Sequence, residues 1–191
     1  MRAALPREVG ACFWFGNDDG NMVAYTPVYT CATRRPKCFT DEGADDVTFS
    51  MDNAFWVCNW VSNMVYPRYS MMFPTLQQVR DSLDASYTRL QPEIEKQALM
   101  INSHFERVKF LTDYSCQKGD EMIRRWQQLA FYLIVKYNDI VEKPTDDNGT
   151  FLRTPTGIGA RVKRPGFPES YARKLIEQTG TKLQVPQPEK K

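Results

Sequence analysis

The feature that most constrains the fold is the spacing of apolar residues through positions 50–137, which recur at steps of three and four. One such series runs from Leu76 to Ile101, a shorter amphipathic piece is centred on Val108, and a further long series ends at Tyr137. This period is that of helices with one buried face. We therefore predict a bundle of four or five helices over residues 50–137.

Caps and prolines set the predicted bounds of these helices. Ser50 or Asp52 can cap the first helix, and Pro67 kinks or ends it. Pro92 is interpreted as the first turn of a new helix or as a kink. The first helix is apolar on most sides, so we expect it to lie inside the protein, with a buried side made of Phe55, Trp56, Cys58, Trp60, Val61, Met64 and Val65.

Residues 9–31 follow a different pattern. Turn-forming residues between Gly16 and Asn21 separate a short apolar run, residues 12–15, from a β-branched and aromatic run, residues 23–29. This order predicts a strand, a turn and a second strand. Pro27 cannot donate a hydrogen bond to a sheet, so the second strand lies at an edge or ends there.

The last part of the chain is rich in proline and glycine and is predicted to be irregular, with one helix from Pro168 to Thr179 stopped by Gly180. Residues 153–191 contain nine basic and three acidic residues. We predict one incomplete α+β domain: a strand pair in residues 1–31, a helical bundle in 50–137, and an irregular basic tail with one helix in 138–191.

Composition excludes several classes of protein. A hydrophobic content of 42% is too high for a disordered chain, and a net charge of +2 gives no overall bias toward nucleic acid. The longest uncharged stretch, residues 53–67, is too short to span a membrane. We expect a cytoplasmic protein with no membrane partner and no nucleic-acid partner, the basic tail being a solvated terminus.

The residues that could carry chemistry are few. Five cysteines without a Cys-x-x-Cys pair predict neither a metal site nor a cofactor. His104 is the only imidazole and stands at a predicted helix start, so the pattern does not indicate a catalytic triad. The acidic run from Asn17 to Asn21 resembles a calcium loop, but the twelfth position from Asn17 is Val28 rather than glutamate. A turn stabilised by its own Asx side chains is the simpler interpretation.

Several motifs follow one another in a specific order. They are residues 14–22 with 25–29, residues 54–57 with Asn59 and Asn63, residues 66–70, residues 136–139, residues 157–159, and residues 171–174 before 177–180. In this order the sequence resembles the cysteine dipeptidases of the dipeptidase A type, relatives of the secernins among the N-terminal-nucleophile hydrolases.

The resemblance implies an enzyme that hydrolyses dipeptides by attack of an N-terminal cysteine thiolate, with its own α-amino group as base, in a four-layer αββα fold. In that family the nucleophile lies well upstream of the motifs found here. We therefore expect a C-terminal portion of such an enzyme, inactive by itself, and assign the catalytic nucleophile to no residue of this chain. Its partners would be dipeptide substrates and either a complementing N-terminal segment or further copies of the chain.

A turn between two strands can face the substrate cleft, so its polar residues are the predicted substrate-binding set. Their role would be to orient the substrate amine or to support the oxyanion donors: Asn17, Asp18, Asp19, Asn21, Tyr25 and Thr26. The alternative function is a non-catalytic helical protein with a role in assembly or regulation. Nucleic-acid binding through the basic tail is a third and weaker hypothesis.

Overall fold

The computed structural model describes residues 4–157, 159–162 and 168–183. The chain divides into two compact units, Met1–Val135 and Lys136–Lys191, which are described separately. Residue 158, which is part of the motif quoted at 157–159, and residues 163–167 and 184–191 of the predicted basic tail lie outside the described residues. The division of the sequence into a strand pair, a bundle and a tail within a single incomplete domain stays a prediction.

The first unit begins with the predicted strand pair. Strand β1 (Cys12–Phe15) and strand β2 (Thr26–Tyr29) are antiparallel, and Trp14 stands opposite Pro27. The helix-rich α+β class is thereby confirmed, whereas the four-layer αββα arrangement stays a prediction.

The register explains why the sheet tolerates a proline. The Thr30 N–H donates to the Ala11 carbonyl at 3.1 Å, and hydrogen-bonded pairs alternate with non-bonded pairs along an antiparallel ladder. Pro27 and Trp14 therefore form a non-bonded pair, in which the backbone groups of each residue point away from the other strand. The missing N–H of Pro27 costs no ladder hydrogen bond.

The outer edge of β2 is closed by helix side chains. The Tyr29 N–H donates to Ser115 Oγ at 3.1 Å, and the Tyr25 N–H donates to Asp84 Oδ1 at 3.2 Å. Pro27, between these two positions, has no N–H to satisfy. Each outward N–H of β2 thus has an acceptor without a further strand.

The first helix, α1 (Ala54–Val65), is capped by Asn53 and not by Ser50 or Asp52 as predicted. Asn53 Oδ1 accepts the Trp56 N–H at 3.2 Å, because Asn53 stands immediately before the first helical residue. A 3₁₀ turn at residues 66–68, which contains Pro67, connects α1 to the next helix.

Burial of α1 differs from the prediction at Phe55, which is 43% exposed. Cys58, Val61 and Val65 are buried as expected, and the remaining predicted residues, Trp56, Trp60 and Met64, are half-buried. The helix lies against the core by one face, since Ala54 and Val57 on that face are completely buried.

Pro92 does not begin a new helix, which was one of the two alternatives predicted for it. Helix α2 (Tyr69–Met100) runs without interruption through Pro74 and Pro92. Pro92 removes one backbone hydrogen bond, but Tyr87 before it and Ala98 after it are both fully buried, and this packing keeps the two halves in one helix.

Helix α3 (His104–Tyr137) is also a single element, where the sequence predicted two pieces. The described part of residues 50–137 therefore contains three α-helices instead of four or five. The predicted break fell on a polar stretch that includes Thr112 and Ser115, yet both side chains are buried. They accept hydrogen bonds from the backbone N–H groups of Thr33 and Tyr29.

The core of the first unit joins β2 to the long helices. Tyr29 packs with Val9 from the N-terminal segment, Ala98 of α2, and Leu111 and Tyr114 of α3. Other fully buried side chains of this unit are Met22, Val23, Met72, Leu76, Tyr87, Met122, Trp126 and Leu133.

The second unit contains the predicted terminal helix. Helix α4 (Glu169–Thr179) begins after Pro168 and ends at Gly180, whose φ of 57° is in the left-handed region that glycine adopts without strain. Isolated bridges pair Thr145 with Phe151 and Arg153 with Gly159. Among the described residues of both units, none of the helices has the length and apolar character needed to cross a bilayer.

Candidate functional site

The predicted substrate-binding residues lie in and after the loop between β1 and β2. We call residues 17–21 the acidic turn. Its internal hydrogen bonds follow from its sequence: Asp19 Oδ1 accepts the Asn21 N–H at 2.8 Å, and the Asp19 carbonyl accepts the Met22 N–H at 2.9 Å. Asp18 adopts a φ of 69°, a conformation that aspartate tolerates better than most residues. The Asx-stabilised turn predicted from the sequence is therefore present.

The acidic turn is also held against helix residues that are distant in sequence. Asn59 of α1 donates its side-chain amide to Asp18 Oδ1 at 2.9 Å. The Tyr66 hydroxyl, in the turn after α1, donates to Asp19 Oδ2. Two adjacent carboxylates are thus fixed at the α1–α2 junction.

Asn21 connects the acidic turn to α2 through two hydrogen bonds. Its side-chain amide donates to the Tyr69 hydroxyl at 2.7 Å, and its carbonyl accepts a hydrogen bond from Arg80 Nη1 at 2.6 Å. Phe73 lies between these two partners, stacked on Tyr69 at 4.6 Å and contacted by the Arg80 guanidinium at 5.6 Å. Carboxylate, amide, hydroxyl and guanidinium groups therefore meet on one exposed surface.

The remaining three predicted residues occupy different environments. Tyr25 is 40% exposed, and its hydroxyl donates back to the Gly20 carbonyl at 3.4 Å. Asn17 lines a separate hollow of about 220 Å³ beside the loop at residues 38–46. Thr26 is completely buried, and its Oγ1, like Asn17 Oδ1, has no hydrogen-bond partner among the described residues. The structure thus gathers Asp18, Asp19 and Asn21 and separates Asn17 and Thr26 from them.

Hydrogen bonding keeps Asp19 ionised. The Tyr66 hydroxyl and the Asn21 N–H lower the pKa of the Asp19 carboxyl below its ordinary value of 3.8, and the carboxylate raises the pKa of Tyr66 in return. Asp84, which accepts the Tyr25 N–H, behaves in the opposite way because burial raises its pKa. The acidic turn can therefore present a negative charge to a cationic group at neutral pH.

The helix and junction residues of this surface were missing from the predicted site: Asn59, Tyr66, Tyr69, Phe73, Arg80 and Asp84. Tyr69 belongs to a quoted family motif, and Arg80 and Asp84 stand one helical turn apart on α2. The apolar periodicity that located α2 carries no information about its polar face. A charged pair at this spacing, near the aromatic residue at position 73, is the sequence signal that could have found Arg80.

A second concavity of about 1340 Å³ lies on the first unit, and we call it the edge cleft. It contains His104, which begins α3 as predicted and contacts Glu8 through Nδ1. Its lining also includes Arg7, Gly10, Ala11, Cys12, Phe13, Trp14, Thr30, Cys31, Thr33, Gln91 and Val108.

Four of the five cysteine thiols have a raised pKa, which disfavours the thiolate form. Burial raises the pKa of Cys31, Cys58 and Cys116, and it raises the pKa of Cys38 to about 12. Thiolate nucleophiles in enzymes have a lowered pKa instead. The thiol of Cys12 donates to the neighbouring Phe13 carbonyl at 3.6 Å. Within the described residues, there is also no group of three or more His, Cys, Asp or Glu side chains placed to hold a metal ion.

The comparison with protein families agrees with the resemblance. The model of peptidase family C69 matches residues 1–82, which span β1, the acidic turn, β2, α1 and the first part of α2. The match is consistent, over this stretch, with the predicted resemblance to cysteine dipeptidases of the dipeptidase A type. The motifs quoted at residues 136–180 lie outside the match. No curated protein gives a significant match to the chain.

Proposed function

We propose, from the match of residues 1–82 to peptidase family C69, that this chain carries the substrate-binding side of a dipeptidase of the N-terminal-nucleophile type. The observation that carries the proposal is the pair of adjacent carboxylates, Asp18 and Asp19, held by Asn59 and Tyr66 within the matched residues. The parent activity is hydrolysis of the peptide bond of dipeptides.

A free dipeptide presents an ammonium group next to the bond that is cut. An ionised carboxylate has about four acceptor positions, and Asp19 uses only two of them, on Tyr66 and Asn21. Asp18 is exposed and accepts one described side-chain hydrogen bond, from Asn59. Both carboxylates thus retain acceptor capacity for the substrate ammonium, which would fix the position of the scissile carbonyl.

The proposed reaction needs a thiolate that the buried cysteines do not supply. The thiolate adds to the carbonyl carbon, the C–N bond breaks as a proton passes to the leaving amine, and water then hydrolyses the thioester. As the resemblance implies, we assign the nucleophile to a complementing segment that carries an N-terminal cysteine. The raised pKa of the buried thiols of Cys31, Cys38, Cys58 and Cys116 agrees with this assignment. By itself this chain would bind dipeptide without cleaving it.

Titration of the isotopically labelled chain with alanyl-alanine, followed by amide NMR, tests this proposal. Saturable shifts are expected at residues 17–25, and N-acetyl-alanyl-alanine, which lacks the ammonium group, should cause none. Asp18→Ala and Asp19→Ala should weaken binding at least about tenfold, as expected for loss of a charge-assisted contact. Asp52→Ala is the matched control, since Asp52 is exposed and outside the acidic turn.

Asp19→Ala also removes hydrogen bonds that hold the turn, so Asp18→Asn provides a second test. This variant keeps the size of the side chain and an acceptor oxygen but loses the charge. Equal binding of alanyl-alanine to the Asp18→Asn variant and the unchanged chain, or shifts confined to other residues, would exclude the acidic turn as the ammonium site. No binding together with self-association of the chain would favour the alternative of an assembly or regulatory protein.

A further inference from the structure

A small hollow lies beside the acidic turn, and we call it the aromatic hollow. Asn17 lines it, and Asp18 is the next residue of the chain, so their Cα atoms are about 3.8 Å apart. The volume of the hollow is about 220 Å³. One water molecule occupies about 30 Å³ in the liquid, so the hollow holds roughly seven groups of that size. It therefore has room for one amino-acid side chain and not for a whole dipeptide.

Aromatic rings line this hollow from three segments of the first unit. Phe15 of β1 meets Phe39 edge to face at 4.8 Å. At the start of α1, Phe55 meets Trp56 in the same geometry at 5.5 Å. Phe15 and Phe55 are each 43% exposed, so their rings are accessible to a ligand. Such rings pack against methylene groups and attract cations at their faces.

The same hollow is lined by acidic residues. Asp41, Asp45 and Asp46 belong to its lining, and all three are exposed. The Val47 N–H donates to Asp45 Oδ1 at 2.9 Å and lowers the pKa of that carboxyl. None of the three aspartates forms an ion pair with a described residue. Their charge is therefore available to a ligand.

The sequence around the hollow contains few cations that could offset this charge. Residues 9–33 contain two acidic residues, and residues 38–67 contain five. Neither range contains lysine or arginine. The acidic turn belongs to the first range, and the loop that lines the hollow belongs to the second. A site with an excess of one charge attracts ligands of the opposite charge and repels those of the same charge.

Asn17 adds an acceptor to the lining of the hollow. Its Oδ1 is buried and has no hydrogen-bond partner among the described residues. Buried polar atoms in proteins are normally paired with a protein group or with water. An ammonium or guanidinium group brings donors and no acceptor. It thus matches a lining of carboxylates and one unsatisfied amide oxygen.

We propose that the aromatic hollow binds the side chain of the first residue of the dipeptide and selects lysine or arginine at that position. This inference rests on the proposed function, in which the substrate ammonium lies on the acidic turn. The ammonium and the side chain of the first residue share one Cα atom, so this side chain is the one that can enter the neighbouring hollow. Its stem would pack on Phe55 and Trp56, and its charged end would pair with Asp41 or Asp46.

The test compares lysyl-alanine with norleucyl-alanine by calorimetric titration of the full chain. Norleucine has the four-carbon stem of lysine and lacks the side-chain ammonium group. We expect lysyl-alanine to bind at least about threefold more tightly, as two exposed ion pairs predict. Glutamyl-alanine should bind more weakly than either. Added salt should reduce the preference for lysine, because the aspartates are exposed.

A double variant, Asp41→Asn with Asp46→Asn, tests the assignment to this hollow. It keeps the size of both side chains and removes both charges, so the two dipeptides should bind about equally. The matched control is Glu42→Gln with Asp52→Asn. It removes the same number of charges from exposed residues that do not line the hollow. The preference of this control for lysyl-alanine should stay within about twofold of that of the unchanged chain.

The outcomes separate this inference from the proposed function. If alanyl-alanine binds but lysyl-alanine and norleucyl-alanine bind equally, the inference is wrong and the proposed function stands. An equal loss of preference in the two double variants would also overturn the inference, because it would assign the preference to overall charge. Absence of binding by every dipeptide, alanyl-alanine included, would contradict the proposed function and this inference together.

Discussion

The Tyr66 hydroxyl donates a hydrogen bond to the Asp19 carboxylate across 47 positions of sequence. This contact joins the loop between the strands to the turn between α1 and α2. It also fixes the charge of Asp19, because the pKa of the carboxyl is lowered mainly by this hydroxyl. Structure and proposed substrate binding therefore depend on the same pair of residues.

Tyr66→Phe should raise the pKa of Asp19 toward its ordinary value of 3.8, since the variant removes the donor and keeps the ring. We also expect a lower free energy of unfolding at neutral pH, because the variant loses a hydrogen bond to an ionised carboxylate. Carboxyl NMR titration and urea denaturation measure the two effects. Tyr69→Phe is the control, because Tyr69 bonds the Asn21 amide and does not touch the carboxylate. An unchanged Asp19 titration in Tyr66→Phe would contradict this assignment.

The difference in stability between the unchanged chain and Tyr66→Phe should depend on pH. A carboxyl whose pKa is lower in the folded state than in the unfolded state stabilises the protein above the unfolded pKa. That contribution is lost as the pH falls through the folded pKa. The difference should therefore be constant near neutrality and shrink below about pH 4. Urea denaturation at several pH values tests this, and a difference that grows in acid would have the wrong sign.

Ser115→Ala should destabilise the first unit by about 1 to 3 kcal/mol, because it leaves the buried N–H of Tyr29 without an acceptor. Ser62→Ala is a matched control. Ser62 is as deeply buried as Ser115, but its hydroxyl has no hydrogen-bond partner among the described residues. We expect Ser62→Ala either to change the free energy of unfolding by less than about 0.5 kcal/mol or to increase it. If Ser115→Ala and Ser62→Ala lowered the free energy of unfolding equally, the hydrogen bond from the Tyr29 N–H to Ser115 would not stabilise the edge of β2.

Gly119→Ala should destabilise the protein by about 1 to 3 kcal/mol, although alanine normally favours a helix over glycine. Gly119 lies in α3, and an added Cβ would clash with the Pro36 ring, with Pro36 Cγ at 2.9 Å. Gly159→Ala is the control, since the space around Gly159 is open. A rise in melting temperature for Gly119→Ala would mean that the Pro36 loop does not pack on α3.

The sequence identified the strand pair because turn formers separate two runs of strand-forming residues. It did not identify the continuity of α3, because Thr112 and Ser115 interrupt the apolar period. Their polar side chains face inward to bond the backbone of β2 and of Thr33, which only the tertiary structure reveals. The sequence also did not show that the helix continues through Pro92. Burial of Tyr87 before it and of Ala98 after it offsets the backbone hydrogen bond that the proline removes.

The polar turn was located correctly, but the partners of its residues were not. Two adjacent aspartates in a predicted turn can be identified as candidate binding residues from the sequence alone. Asn59 and Tyr66, in a helix and a turn, carry no such signal. They become part of the site only because α1 ends beside the acidic turn. Thr26 was chosen as one of the polar side chains expected to face the cleft, but Thr26 is completely buried in a strand that is buried on both faces at its start.

Dipeptide hydrolysis by the purified chain is the most direct measurement of the central claim. The assay compares the chain alone with the chain co-expressed with an N-terminal segment of a family C69 dipeptidase that carries the nucleophilic cysteine. We predict no turnover by the chain alone, turnover by the combination, and a kcat/KM at least about tenfold lower when Asp18 is replaced by alanine. Turnover by the isolated chain that disappears on substitution of Cys12, or activity of the combination that is indifferent to Asp18 and Asp19, would contradict the account.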